Sequence, residues 1–161
     1  MVRKVKFGII GLGHIGRRHA RYIIDNNRSD LIAVYDVLPK EKLHLVDIRK
    51  DLFVNSFQDL LNLDLDVINI CTPNYLHASM AVDVLNTGKH VVIEKPIALS
   101  TQDAQKIINV ANKVGKCVFC VMQNRFSPTI TWLKKIISSN YLGQLNLLSI
   151  NCFWNRNKDY Y

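Results

Sequence analysis

Apolar and polar positions alternate along this chain in two rhythms. Short apolar runs at 7–10, 31–35, 53–54, 66–71, 90–93 and 116–122 read as strands. The 66–71 run, Asp66-Val67-Ile68-Asn69-Ile70-Cys71, is nearly continuous and β-branched, which marks a strand covered on both faces. Between the strands lie segments of helical period. The first runs to about Asn27 and turns Ala20, Ile23 and Ile24 inward. Pro39 predicts the start of a second helix, with Leu43, Val46 and either Leu45 or Ile48 inward. Ser56 and Asp59 have capping-box spacing and open a short helix through Leu60 and Leu61. The next helix carries Ala78, Ala81, Val82 and Leu85 and stops at Gly88. Ser100 and Asp103 cap another, which buries Ala104, Ile107, Ile108 and Ala111 and runs to Gly115.

Strand and helix alternate with short connections up to residue 122. Each parallel return needs a crossover, so the pattern predicts an α/β fold: a doubly wound parallel sheet with helices on both faces. Such sheets bind ligands at the C-terminal ends of their strands. The polar turns after Ile10, Tyr35, Cys71, Ile93 and Met122 all belong to that rim. Beyond residue 122 the pattern changes. Ser127-Pro128 starts a helix bearing Ile130, Leu133, Ile136 and Ile137, and the run 145–154 reads as one long strand with no helix after it. We therefore divide the chain into residues 1–122, a dinucleotide-binding domain, and residues 123–161, the beginning of a second domain. A lone strand cannot stabilise itself, so the natural protein is expected to continue or this strand to pair with another chain.

The most informative turn is Gly11-Leu12-Gly13-His14-Ile15-Gly16, between the first strand and the first helix. Gly11 permits the sharp turn, Gly13 leaves bare backbone for a pyrophosphate, and Gly16 allows close packing of helix on strand. The N–H groups and positive dipole end of the helix then face the anion. A plain glycine turn is the alternative. The context favours a Rossmann phosphate cradle, because Asp36 ends the second apolar run twenty residues past Gly16, where a carboxylate can accept both hydroxyls of an adenosine ribose. The same carboxylate would repel a 2′-phosphate, so NAD is expected in preference to NADP.

Lys95 lies on the same rim between Glu94 and Pro96. A cationic nicotinamide nearby, with partial burial, would favour its neutral form and suit it to proton transfer; a surface lysine in a turn is the bland reading. His77 faces the cofactor groove or sits solvated at a helix start. His14 and His19 are expected to be exposed on the first helix. Asn124 and Arg125 end the last strand, placed for an anionic substrate or for bracing two domains.

Composition adds limits. The chain has 161 residues, 48% apolar and 21% charged, enough for one ordinary domain and part of another. Its formal charge of +8 is scattered, apart from Arg17-Arg18 and Lys134-Lys135, and no nucleic-acid motif accompanies it. A modest basic excess suits a protein with phosphate-bearing ligands. No apolar run is long enough to span a bilayer, and the N-terminus leads into a strand, so a cytoplasmic protein is expected, without nucleic-acid or membrane partners. Cys71, Cys117, Cys120 and Cys152 read as buried, reduced core residues: strand alternation would set Cys117 and Cys120 on opposite faces. The five histidines have no metal-ligand spacing.

Four segments in this order resemble one known family. The glycine turn, Thr72-Pro73-Asn74-Tyr75-Leu76-His77, Glu94-Lys95-Pro96 and Gln123-Asn124-Arg125-Phe126-Ser127-Pro128 are similar to the glucose–fructose oxidoreductase/inositol dehydrogenase (Gfo/Idh/MocA) family. The resemblance implies a nicotinamide-dependent oxidoreductase acting on a sugar or cyclitol hydroxyl, with Lys95 as catalytic lysine. It assigns cofactor contacts to Gly11, Gly13, His14, Ile15, Gly16, Asp36, Thr72, Pro73, Asn74, His77, Glu94, Lys95 and Gln123. It places Gln123, Asn124 and Arg125 at the junction with a substrate domain, whose Asp and His would complete the site and whose open sheet would make a homo-oligomer. The segment 152–161 is similar to that of members acting on nucleotide sugars. A non-catalytic NAD(H)-binding module or truncated remnant is the alternative reading.

Overall fold

The structure, a computed structural model, describes residues 3–43, 48–153 and 155. Five parallel strands form one sheet: β1 (Val5–Ile10), β2 (Ser29–Tyr35), β3 (Val67–Ile70), β4 (His90–Ile93) and β5 (Val118–Cys120), in the order β2-β1-β3-β4-β5. Phe53 adds a single parallel bridge to Val34 on the outer side of β2. The expected 53–54 strand is reduced to that bridge. Counting it as a strand would give the six-strand order 3-2-1-4-5-6 of dinucleotide-binding sheets.

The helices are α1 (His14–Asp25), α2 (Phe57–Asn62), α3 (His77–Asn86) and α4 (Thr101–Val114). Ser56 and Ser100 cap α2 and α4 as their spacing predicts, each accepting the N–H three residues on at 3.0 Å. Gly115, at φ 67°, closes α4 in the left-handed conformation that favours glycine. Ile68, Ile70, Val91 and Ile93 pack with Leu60, Leu61, Val84, Leu85 and Ile107 in the larger apolar cluster. Ile9, Leu12, Ala20, Ile23 and Val34 form the second cluster, against α1.

Several expectations fail locally. Ile24 and Ile108 are exposed, one position around the helix from the buried Ile23 and Ile107. After Pro39 there is only a 3-10 turn, Lys40–Lys42, and a second at Lys50–Leu52. Leu43 and Ile48 do turn inward, while Leu45 and Val46 fall outside the described residues. The cysteines are free but not fully buried: Cys117 and Cys152 are exposed, Cys71 and Cys120 partly so. Cys117 and Cys120 belong to the edge of the sheet, where a strand has a neighbour on one side only. Lys89 was not singled out. It is buried, and its ammonium donates to the Leu61 carbonyl at the end of α2 at 2.7 Å.

The chain divides into two compact units, Met1–Val121 and Met122–Tyr161. In the second, Gln123–Phe126 is a 3-10 turn and α5 (Pro128–Ser138) follows, capped by Ser127. Residues 145–153 form no strand, because none of the described residues pairs with them. Trp154 and residues 156–161 of the nucleotide-sugar-like segment fall outside the described residues. No helix among the described residues is long and apolar enough to cross a membrane.

Replacing Ile68 by Ala should lower the unfolding free energy by about 3 kcal/mol, since it is fully enclosed. Replacing Ser100 by Ala should cost about 1 kcal/mol through its cap. Urea titration followed by circular dichroism checks both.

Candidate functional site

The parallel register brings the strand ends level. Ile10 stands beside Tyr35 on β2 and Ile70 on β3, Ile70 beside Ile93 on β4, and Ile93 beside Cys120 on β5. The ladder continues one residue further: Gly11 donates to Tyr35, Cys71 to Ile10, Glu94 to Ile70 and Val121 to Ile93, at 2.8–3.0 Å. The turns holding the glycines, Asp36, Thr72 and Glu94-Lys95 are thereby gathered on one rim.

Within the glycine turn the three glycines differ. Gly11 has φ 86°, and a Cβ there would lie 2.6 Å from the Cys71 carbonyl oxygen. A Cβ on Gly16 would meet the Gly11 carbonyl oxygen at 1.8 Å, so the close approach made by Gly16 is to the turn itself. A Cβ on Gly13 would meet nothing within 4 Å. Gly13 caps α1 without a side-chain hydrogen bond, and no acidic residue lies in the first turn. His14 and Ile15 are exposed there and Gly16 is buried. An open, uncapped N-terminus with its dipole uncompensated is suited to an anion.

Asp36 is fixed by two backbone donors: Leu12 N–H gives to Oδ2 at 2.6 Å and Leu38 N–H to Oδ1 at 2.9 Å. Each oxygen keeps a lone pair for a hydroxyl. Beside it opens a cleft of about 380 Å³ lined by Asp36, Leu38, Pro39, Phe53 and Asn55. Thr72 Oγ1 is buried without a partner, while Pro73 and Asn74 are exposed. The residues fit a dinucleotide on these observations: an open backbone at Gly13, a carboxylate with free lone pairs beside a cleft, and an orphaned hydroxyl on the same rim.

His77 does not face a groove. It is 1% exposed, with Nδ1 2.7 Å from the Pro96 carbonyl oxygen and Nε2 2.9 Å from that of Thr72. Both neighbours are acceptors, so the ring lies between the turn after β3 and the turn after β4 and braces them from beneath. The Lys95-Pro96 peptide is cis. Lys95 is exposed rather than partly buried, and among the described residues its ammonium makes no hydrogen bond or ion pair. Gln123, Asn124 and Arg125 are exposed in the first turn of the second unit.

His14 is exposed as expected; His19 is not, its side chain being 14% exposed. It sits three residues past Gly16 on the inward face of α1, within 3.0 Å of both Glu94 Oε1 and Asn69 Nδ2. His19, expected to be exposed, and Asn69, given no role in the sequence reading, therefore stand behind Glu94. The available signal was an asparagine inside a β-branched strand, which must find a partner when buried. Cys71 lies near the same carboxylate. Burial, and then the charge of Glu94, push its thiol up to about 12, so it is not a nucleophile at neutral pH. Among the described residues no group of three or more His, Cys, Asp or Glu side chains is arranged to hold a metal ion.

Comparison with known proteins agrees with this geometry. Residues 5–122 match the model of the oxidoreductase family with an NAD-binding Rossmann fold, Gfo/Idh/MocA. Inositol 2-dehydrogenase of Salmonella typhimurium is 33% identical over 147 residues, covering 87% of this chain and 43% of that protein. Glucose-6-phosphate 3-dehydrogenase of Bacillus subtilis is 29% identical over 152 residues, covering 94% and 43%. Among solved structures, the WlbA dehydrogenase from Bordetella pertussis, in complex with NADH and UDP-GlcNAcA, superposes with a TM-score of 0.90 at 30% identity. That match covers 99% of this chain and 46% of WlbA. The chain thus spans less than half the length of these relatives. The family model covers the whole parallel sheet and every rim turn up to β5, and the chain belongs to the Gfo/Idh/MocA oxidoreductase family.

Proposed function

We propose that the rim binds NAD and that the whole protein oxidises a hydroxyl-bearing carbon of a sugar or nucleotide sugar. The observation that carries this is the pairing of an open, uncapped α1 N-terminus at Gly13 with a backbone-fixed Asp36 beside its cleft. Backbone N–H groups of His14, Ile15 and Gly16 would take the pyrophosphate, and Asp36 the adenosine ribose hydroxyls. The carboxylate disfavours a 2′-phosphate, which supports NAD over NADP. Thr72, Pro73, Asn74, Glu94 and Lys95 would line the nicotinamide end, and His77 would act from beneath by holding Thr72 and Pro96 in place.

When bound, the nicotinamide supplies the acceptor for the hydride that leaves the sugar carbon. Lys95, exposed on the rim and unpaired, would start as the neutral amine and take the proton of the same hydroxyl on Nζ, becoming an ammonium, as the carbonyl forms. Gln123, Asn124 and Arg125 follow β5 directly in the chain and are assigned to the cofactor and to an anionic substrate group. WlbA, crystallised with UDP-GlcNAcA, supports a substrate of that class, as for UDP-N-acetyl-2-amino-2-deoxyglucuronate dehydrogenases. The remaining groups of the substrate site, and the homo-oligomer, belong to the length this chain does not share with its relatives. We place the protein in the cytoplasm.

Fluorescence titration should give a lower Kd for NADH than for NADPH, by about tenfold or more, with Asp36→Ala erasing most of the difference. Gly13→Ala should keep the wild-type melting temperature and weaken NADH binding about tenfold, because its methyl meets only the space assigned to the pyrophosphate. Gly16→Ala should instead destabilise the fold, since its methyl meets the Gly11 carbonyl. In a protein of the relatives' full length, Lys95→Ala should lower sugar-dependent NAD reduction by roughly 10²-fold or more while leaving NADH affinity nearly unchanged. An unchanged rate rejects its role.

A further inference from the structure

We propose that His19 is a positioning residue of the rim: its Nε2 proton holds the Glu94 carboxylate and, through it, the backbone of Lys95. The proposal deepens the NAD-binding reading and rests on it for its effect on affinity.

The geometry begins in the sheet. Ile68 and Ile70 belong to the larger apolar cluster, so Asn69 between them points to the opposite face, toward α1. Asn69 is 5% exposed. Its Nδ2 lies 3.0 Å from His19 Nδ1, and its Oδ1 is buried with no partner. On the far side of the ring, His19 Nε2 lies 3.0 Å from Glu94 Oε1. Glu94 Oε2 then accepts the Lys95 N–H at 3.2 Å.

A carboxylate only accepts, so Nε2 must carry a proton. With Nδ2 donating to Nδ1 the ring is neutral and Nδ1 is bare. With the amide turned over, its orphaned Oδ1 would accept a hydrogen bond from Nδ1–H, and the ring would be the cation. Both arrangements keep the proton on Nε2, donated to the Glu94 carboxylate. The arrangement excluded is the neutral ring with its proton on Nδ1 alone, which would set a bare nitrogen against the carboxylate. The Cys71 thiol, also near Glu94, is held protonated as described, and the neighbouring Lys95 has its side chain exposed. Glu94 is 15% exposed at its side chain, so little water is at hand to replace the imidazole. Without the ring the carboxylate loses its fixed donor and its hold on the Lys95 amide.

The test uses the 161-residue chain. Long-range 1H–15N spectra of the wild type should place a proton on His19 Nε2. His19→Phe should speed hydrogen exchange at the Lys95 amide by about tenfold, and His19→Gln, whose amide can still donate to Glu94, should hold it near the wild-type rate. NADH affinity should fall about tenfold in His19→Phe and return in His19→Gln. A bare Nε2, or an unchanged Lys95 exchange rate in folded His19→Phe, overturns the proposal. Should His19→Phe not fold, the ring proton and the His19→Gln exchange rate decide it. If the wild type binds no NADH, the cofactor reading falls, while the ring proton and the exchange rates still decide the role of His19.

Discussion

Everything proposed for this protein depends on the parallel register that ends the strands level. Tyr35, Ile10, Ile70, Ile93 and Cys120 stand in one row, and the backbone ladder continues a residue beyond it. Because parallel strands share a direction, the turns that leave them share a rim. A slip of one residue in β3 would send Ile68 and Ile70 to the α1 face and Asn69 into the larger apolar cluster. The apolar clusters on the two faces therefore set the position of the site as much as they stabilise the fold.

On that rim, charge is held before any ligand arrives. Asp36 is engaged by two backbone N–H groups, and Glu94 by one and by an imidazole. Carboxylates restrained in this way lose less freedom on binding and present their remaining lone pairs in fixed directions. The N-terminus of α1 is the complement, a partial positive charge whose Gly13 cap makes no side-chain hydrogen bond. Opposite signs about one turn apart suit a ligand that carries both a phosphate and ribose hydroxyls.

Much of this was legible in the residues, because the signals were local. The serine caps, the glycine turn and the β-branched runs each report on a few neighbouring positions, and the structure forms those elements there. What escaped was set by distant partners. Whether Ile23 or Ile24 is enclosed depends on how far α1 is rotated over the sheet. The 145–153 run has strand composition but no strand beside it. Pro39 permits a helix start, yet the described chain makes only a 3-10 turn there. Asn69 and His19, fifty residues apart, become meaningful only once β3 and α1 lie together.

NAD is proposed to bind along the level rim, from Gly13 to Glu94. The most direct measurement is the set of backbone amide shifts in 1H–15N spectra as NADH is added to the protein. Saturable shifts are expected at 11–16, 36–38, 72–74 and 94–95, with His90 and Lys116 at the opposite strand ends unmoved. Shifts gathered at that opposite end, or none at saturating NADH, would contradict it.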